Sequence, residues 1–143
     1  MMDLAPIAAK LKALGLVNID LLAGLSLIES QPPASFPWHY LYPVTERGTA
    51  DRAVSGLTQQ DVPCRFAVLT LVQSAGVDPA AADAELQELT ATVEQLVGWA
   101  HPDAEGQATL YSSGNLVATE PGRIGWLQQF DTRRTIRRNN THG

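Results

Sequence analysis

The longest alternation of hydrophobic and polar positions runs from Thr58 to Ser74 and predicts a strand. Even-numbered residues from Val62 to Val72 are mostly apolar and point to one side of that strand. Ala67, Leu69 and Leu71 make the other side apolar as well. The second half of this strand is therefore predicted to be central in a sheet and covered on both faces.

A short amphipathic helix is predicted near the N-terminus. Asp3 is a suitable cap because its carboxylate can accept a hydrogen bond from a free backbone N–H of the first turn. Ile7, Leu11 and Leu14 then recur at helical spacing, and Gly15 ends the helix. The three apolar side chains share one face, which is expected to pack on the sheet.

A second helix has clearer signals. Asp78 is predicted as its N-cap and Pro79 as its first residue, while Gly98 suits the left-handed position that follows a helix. Its buried stripe is predicted to comprise Leu86, Leu89, Val93, Leu96 and Val97. Each of these side chains contributes roughly 1.5 to 3 kcal/mol when it is fully buried. A solvated acidic face is predicted to comprise Asp83, Glu85, Glu88 and Glu94.

The segments between these elements are less regular. Residues 17–21 alternate, with Val17, Ile19 and Leu21 on one side, and predict a short strand. Residues 22–29 fit either a brief helix or more strand, and the proline-rich run 31–37 breaks regular structure.

The long strand is preceded by a strand and a loop. Residues 38–44 are rich in aromatic and β-branched side chains and predict a strand, in which Pro43 requires an edge or a bulge. Residues 46–57 are polar and contain glycine, which favours an extended loop.

The C-terminal third returns to strand patterns at residues 108–113, 116–119 and 123–137. Turn residues at Gly114-Asn115 and Pro121-Gly122 separate these strands and predict a meander. The expected fold is a single α+β domain over residues 1–143, with residues 139–143 as a flexible tail. It is predicted to be a two-layer sandwich of two main helices on a twisted, mostly antiparallel sheet of about five strands.

Charge is distributed unevenly along the chain. Charged residues make up 17% of the sequence, below the roughly 25% of an ordinary soluble domain, so some uncharged surface is expected to face a partner. Abundant Thr, Gln and Ser are the competing explanation, because they solvate a surface without charge. The net charge of −5 gives the whole chain no long-range attraction for nucleic acid. Four of the ten basic side chains nevertheless fall in the last eleven residues, and subtracting them leaves −9 on the rest.

The basic residues of the C-terminus are Arg133, Arg134, Arg137 and Arg138. Strand alternation places Arg133 and Arg137 on one face and Arg134 and Arg138 on the other. Contact with acidic faces of another subunit or a partner protein is the favoured interpretation, ahead of solvated terminal charge and of contact with DNA. The loop that begins at Glu46 and Arg47 is a second candidate contact, because irregular surface segments often carry function.

Candidate chemistry is sparse. The sequence has no glycine-rich phosphate loop, and its three histidines lack the short spacings of a zinc site, so no cofactor or metal is expected. Cys64, the only cysteine, is predicted to be an inert core thiol and not a nucleophile, because it shares a strand face with Phe66 and Val68. No stretch approaches the length of a membrane span and no signal peptide is evident, which favours a cytoplasmic protein.

An ordered set of short segments resembles phage tail terminator proteins. It begins with the N-terminal helix and includes Tyr40-Leu41-Tyr42-Pro43-Val44, Thr45-Glu46-Arg47, Arg65-Phe66 and Leu96-Val97-Gly98-Trp99. It continues with Leu110-Tyr111, Gly114-Asn115-Leu116, Gly125-Trp126-Leu127 and Gln129-Phe130-Asp131-Thr132. The resemblance covers residues 4–138, apart from residues 22–37.

The resemblance implies a structural, non-enzymatic virion protein, assembled in the host cytoplasm, that forms a ring at the head-proximal end of a phage tail. The ring, commonly a hexamer, stops tail polymerisation and presents a surface for joining the head. Its implied partners are further copies of the chain, the tail tube protein and a head–tail connector, with no membrane and at most incidental nucleic acid in the lumen. Another head–tail connector or neck protein is the alternative, and a small hydrolase or ligand-binding domain is the enzymatic one.

Overall fold

Six strands and two α-helices form the part of the chain that the computed structural model describes, namely residues 1–21, 36–48, 52–54, 57–118 and 121–139. The α-helices are α1 (Ala5–Ala13) and α2 (Pro79–Val93), and short 3-10 helices cover Glu94–Leu96 and Pro102–Ala104. The strands are β1 (Ile19–Asp20), β2 (Trp38–Glu46), β3 (Arg52–Val54), β4 (Leu57–Gln73), β5 (Leu110–Ala118) and β6 (Arg123–Asn139).

The strands form one sheet in the order β1-β2-β4-β6-β5, with β3 also paired to β4. Only β1 and β2 run parallel, and all other pairs are antiparallel. The 17-residue strands β4 and β6 pair along their whole length, from Leu57 opposite Asn139 to Gln73 opposite Arg123. The predicted α+β class, the mostly antiparallel sheet and the central position of β4 are therefore confirmed.

The main core lies between one face of the sheet and the helices. Val62, Cys64, Phe66 and Val68 of β4 contribute to it, and Phe130 of β6 stacks on Phe66 with ring centroids 5.4 Å apart. The other face carries a second cluster of buried residues at Tyr40, Leu69 and Leu71. Both faces of β4 are thus covered in its second half, as its sequence predicts.

Helix α1 forms where it is predicted, but Leu4 and not Asp3 occupies the N-cap position, and Asp3 lies one residue before it. Ala5 N donates to Asp3 Oδ1 over 3.0 Å, so the carboxylate satisfies a backbone N–H of the first turn. Ile7 and Leu11 are fully buried in the core. Gly15 has a φ of +99°, which the absence of a side chain permits, and the helix ends just before it.

Helix α2 begins at Pro79 after Asp78, as predicted, but its C-terminal part differs. The α-helix ends at Val93 and a 3-10 turn continues to Leu96, after which Val97 is extended. Val93 and Leu96 are buried, whereas Val97 is 46% exposed, so the prediction for Val97 was wrong. The reason is the tighter 3-10 turn, which ends the 3.6-residue period on which the prediction rested.

The predicted strand at residues 17–21 is shorter than expected. Only Ile19 and Asp20 pair with β2, and Val17 and Leu21 are exposed. Asn18 has a φ of +57°, so the chain leaves the extended conformation there and the alternation is interrupted.

The predicted loop at residues 46–57 was partly wrong. Glu46 is the last residue of β2, and Arg52–Val54 pairs with Leu57–Gln59 of β4. Pro43 was predicted to require an edge or a bulge, and a bulge is found, since the register of β2 shifts between Pro43 and Thr45.

The predicted meander is a hairpin. β5 runs through Gly114-Asn115 without a turn and pairs with β6, which lies between β4 and β5. A side chain at Gly114 would meet the hydroxyl of Tyr111 and Nε1 of Trp126, so this glycine permits close packing and not a turn. The predicted flexible tail at 139–143 was wrong at its first residue, because Asn139 is the last residue of β6 and is paired with Leu57. The interpretations of residues 22–35 and 140–143 lie outside the described residues.

Candidate functional site

The six candidate residues of the sequence analysis lie towards the end of the sheet where β2 finishes. Glu46 is opposite Cys64, and on the other side of β4 Arg133 and Arg134 are opposite Pro63 and Val62. Arg137 and Arg138 are further along β6, opposite Gln59 and Thr58. The structure therefore brings Glu46 and the first two arginines together across β4 and leaves the last two nearer the strand end.

The bulge in β2 decides which way Glu46 points. Pro43 is opposite Phe66 and Glu46 is opposite Cys64, both of which belong to the helix-covered face of β4. From Pro43 to Glu46 the chain of β2 advances three residues, while β4 advances two from Phe66 to Cys64. The extra residue exchanges the two faces to which the following side chains of β2 point. Without the extra residue, Glu46 would point to the opposite face.

Glu46 accepts several hydrogen bonds on that face. Arg134 Nε donates to Oε1 over 3.1 Å and an Arg134 terminal nitrogen to Oε2 over 3.0 Å, which is the two-point geometry of a strong Arg–carboxylate pair. Met2 N also donates to Oε1 over 2.7 Å. The hydrogen bond from Arg134 is the main reason that the pKa of Glu46 falls to about 2, against the opposing effect of burial.

Of the other arginines, some form ion pairs within the chain and some do not. Arg133 lies 3.6 Å from Asp61, and Arg137 forms an ion pair with Glu105 and donates to Gln59. Arg134 faces the core side with Glu46 and Arg133 alternates with it, as the sequence predicts. Arg47 and Arg138 are exposed and form no ion pair with any other residue in the described ranges.

These ion pairs neutralise most of the positive charge of the C-terminus within the subunit. Glu46, Asp61 and Glu105 neutralise Arg134, Arg133 and Arg137 within the chain. Sequence reasoning missed these partners because Asp61 is 72 positions and Glu46 88 positions from its arginine. The sheet register brings them together. Little of the charge predicted for a partner contact is therefore unpaired in this subunit.

Cys64 is a buried thiol, as predicted. Its Sγ donates to Val62 O over 3.2 Å and contacts Glu46 Oε1 at 3.4 Å. Burial first, and the neighbouring carboxylate second, raise the pKa of Cys64 to about 11. A neutral thiol surrounded by core residues is a poor nucleophile.

Arg65 and Asp131 form a further ion pair on the opposite face of the sheet. They are direct neighbours on β4 and β6, and Arg65 Nε donates to Asp131 Oδ1 over 2.8 Å. A shallow depression of about 270 Å³ lies beside the pair and is bordered by Arg47 and Pro63. Among the side chains the structure describes, no three His, Cys, Asp or Glu residues are grouped to hold a metal ion.

An apolar cleft of about 780 Å³ separates α2 from the β5–β6 hairpin. Leu86 of α2 and Leu116, Ile124 and Trp126 of the hairpin line it, together with Asp83. Sequence reasoning missed this feature because it assigned Leu86 to the buried stripe of α2. The side chain is only half-buried, since it borders the cleft.

No helix in the described ranges is both long enough and apolar enough to cross a membrane. No individually curated protein matches the chain. The profile of the phage tail terminator protein family matches residues 1–141 of the 143 residues, which is nearly the whole sequence. The chain therefore belongs to the phage tail terminator protein family.

Proposed function

We propose that this protein is a ring-forming terminator that caps the head-proximal end of a phage tail tube. The match to the phage tail terminator family over residues 1–141 carries the proposal, since that family is a structural component of phage tails. The ring, with six subunits as the expected number, stops addition of tube subunits. Its exposed end then provides the surface for head–tail joining.

The fold is compatible with such a role. A closed ring requires heterologous contacts, in which one surface of a subunit meets a different surface of the next. The two outer strands of the sheet, β1 and β5, differ in length and in their surroundings, so each subunit offers two unlike edges. The Glu46–Arg134 pair holds the N-terminus, β2 and β6 together between those edges.

Among the arginines, the proposed contact with the tube or a neighbour now rests mainly on Arg47 and Arg138. Both side chains are exposed, and neither is neutralised by a described carboxylate. A charge-assisted contact with an acidic partner surface would therefore not have to break an internal ion pair at either position.

Tube assembly provides the test. The tail tube protein of the same virus is polymerised with and without the purified chain, and tube lengths are measured by electron microscopy with the chain gold-labelled. Label at one end of the tubes and arrested elongation are expected. Unchanged tube growth, with the label on the portal when heads of the same virus are added, would instead identify a head–tail connector and refute the terminator role.

The contribution of the arginines is tested in the same assay. Arg47→Glu with Arg138→Glu is expected to weaken capping, whereas Glu85→Arg, on the distant acidic helix, serves as a charge-changed control. If the arginine variant caps tubes as well as the unchanged protein does, these two residues do not contact the tube.

A further inference from the structure

A loop outside the sheet supplies the carboxylate that neutralises Arg137. The carboxylates that pair with the other two neutralised arginines, Glu46 and Asp61, belong to β2 and β4. Glu105, the partner of Arg137, instead follows the 3-10 turn Pro102–Ala104, which lies beside β6. Arg137 is thus paired with a segment that the strand register does not hold in place.

The Arg137–Glu105 pair is also the most exposed of the three. Its side chains are 49% and 33% exposed, whereas the carboxylate of each of the other two pairs is only 20% or 21% exposed. Water and salt reach an exposed pair and weaken it, so it adds little to the stability of the fold. This pair is therefore the one that a competing carboxylate can separate most readily.

The backbone of Glu105 has a conformation that glutamate rarely adopts. Its φ is +51°, in the left-handed region, and Gly106 follows with a φ of +81°. Glycine or asparagine adopts this conformation at a lower cost. Residues strained in this way are concentrated at functional sites, where the surrounding structure fixes them. A side chain that reaches Arg137 is a reason for a glutamate at this position.

His101 fixes the base of the loop. Its Nδ1 accepts a hydrogen bond from Asp103 N over 3.0 Å, and its Nε2 donates to Asp3 O over 2.7 Å. The imidazole is only 1% exposed, so it ties the 3-10 turn to the buried part of the subunit. The loop therefore presents Glu105 at a defined place beside β6, and only the side-chain contact has to open when Arg137 changes its partner.

A carboxylate is the kind of ligand that Arg137 already binds. A terminal nitrogen of Arg137 pairs with Glu105, and its Nε donates to Gln59 Oε1 over 3.4 Å. A carboxylate of another protein that replaced Glu105 would meet the same donors, whereas a neutral surface would leave the internal pair intact. The internal pair therefore favours acidic partners over neutral ones.

We propose that Glu105 is a replaceable internal partner of Arg137, and that a carboxylate at the end of the tail tube displaces it when the chain caps the tube. The proposal rests on the proposed function and adds Arg137 to the contact assigned there to Arg47 and Arg138. Arg138 is the next residue of β6 and is exposed. Displacement of Glu105 thus makes two adjacent guanidinium groups available at the end of the strand, and the intact pair weakens capping by the free subunit.

The concentration of the chain that halves tube elongation measures this exchange. Glu105→Gln keeps the size of the side chain and removes its charge, so a tube carboxylate no longer has to displace an internal one. This variant is expected to need about two- to fivefold less protein than the unchanged chain, which is the range for an exposed ion pair. Glu88→Gln is the matched control, because it removes the same charge from an exposed position on α2 and is expected to give no gain.

Arg137→Gln separates the exchange from a general effect of charge. This variant is expected to need more protein than the unchanged chain, because it loses one contact with the tube. Combined with Glu105→Gln, it is expected to behave as Arg137→Gln alone, since no arginine is left to be released. Each substitution changes the stability little, because the pair is exposed, and urea unfolding checks that the variants are folded.

The outcomes separate this proposal from the proposed function. If the unchanged chain caps tubes but Glu105→Gln gives no gain, or Glu88→Gln gives the same gain, the exchange is wrong and the terminator role stands. A gain that persists without Arg137 would also overturn the exchange. If Glu105→Gln binds double-stranded DNA more tightly while capping is unchanged, Arg137 takes a phosphate and the proposal is wrong. If the unchanged chain does not cap tubes, the proposed function fails, and the exchange with it.

Discussion

The substitution Glu46→Gln tests how strongly one carboxylate holds three segments of the chain together. Glu46 accepts hydrogen bonds from Arg134 and from Met2 N, and its side chain is only 21% exposed. Glutamine keeps the size of the side chain and one carbonyl oxygen, but it loses the charge and the two-point contact. The perturbation is therefore electrostatic, with little change in packing.

The depressed pKa of Glu46 sets the magnitude. A shift from 4.5 to about 2 corresponds to about 3 kcal/mol at neutral pH, since each unit is worth about 1.4 kcal/mol. Water at the partly exposed pair weakens it, which reduces the expected loss of unfolding free energy to about 2 kcal/mol at pH 7. That loss is intermediate between those of exposed and fully buried pairs.

The pH dependence follows from the sign of the shift. Because the pKa of Glu46 is lower in the folded state, Glu46 stays ionised in the folded protein at pH values where it is protonated in the unfolded chain. The contribution of Glu46 to stability is therefore complete above about pH 4.5. The contribution declines as the pH falls towards 2, where the folded state also binds the proton. The difference between the original chain and Glu46→Gln is therefore expected to shrink by about 1 kcal/mol between pH 5 and pH 3, and to decline further below pH 3.

Urea unfolding followed by tryptophan fluorescence measures this difference at each pH. Asp131→Asn is the matched control, because its ion pair with Arg65 is roughly half exposed and a smaller loss is expected. Adding Arg134→Gln to Glu46→Gln completes a double-mutant cycle that isolates the pair. A Glu46→Gln variant that is as stable as the original at pH 7, or a difference independent of pH, would refute the reasoning.

Three further outcomes are expected. Cys64, with a pKa of about 11 and 4% exposure, should react with a thiol reagent only at the rate of unfolding, and rapid labelling of the native protein would contradict its burial. His39 is fully buried and its ring contacts Thr70 Oγ1 at 3.1 Å, and because burial lowers its pKa from 6.5, NMR titration should give a pKa of about 4. The contribution of neutral His39 to stability is complete above pH 6.5 and is lost as the pH falls towards 4. An unshifted titration would be inconsistent with this buried site. Gly125→Ala places a methyl group 2.8 Å from Leu71 Cδ2 and should cost about 1 to 3 kcal/mol in a denaturant melt, more than a conservative Ala82→Ser; equal stability would show that the leucine moves aside freely.

The long elements were predictable because their signals are local. The alternation of β4 and the Asp78-Pro79 start of α2 depend on neighbours in sequence, and the structure reproduces both within one residue. The same holds for the burial of Cys64, which follows from its place in that alternation.

The failures have non-local causes. Gly114 predicts a turn from local rules, but its lack of a side chain accommodates Trp126 of the neighbouring strand. The partners of the C-terminal arginines depend on the register of β4 and β6, and the direction of Glu46 depends on a single extra residue in β2. A charge count along the chain therefore finds the arginines and misses how their charge is neutralised.

The pairing of β4 with β6 over 17 residues has a mechanical consequence. β6 lies between β4 and β5, so both of its edges are hydrogen-bonded over much of its length. A pull on its C-terminal end along the strand axis loads those hydrogen bonds together, in shear, and not one after another as in unzipping. A subunit held by that end would resist extraction far better than one held at β1, where only two residue pairs join the strand to the sheet.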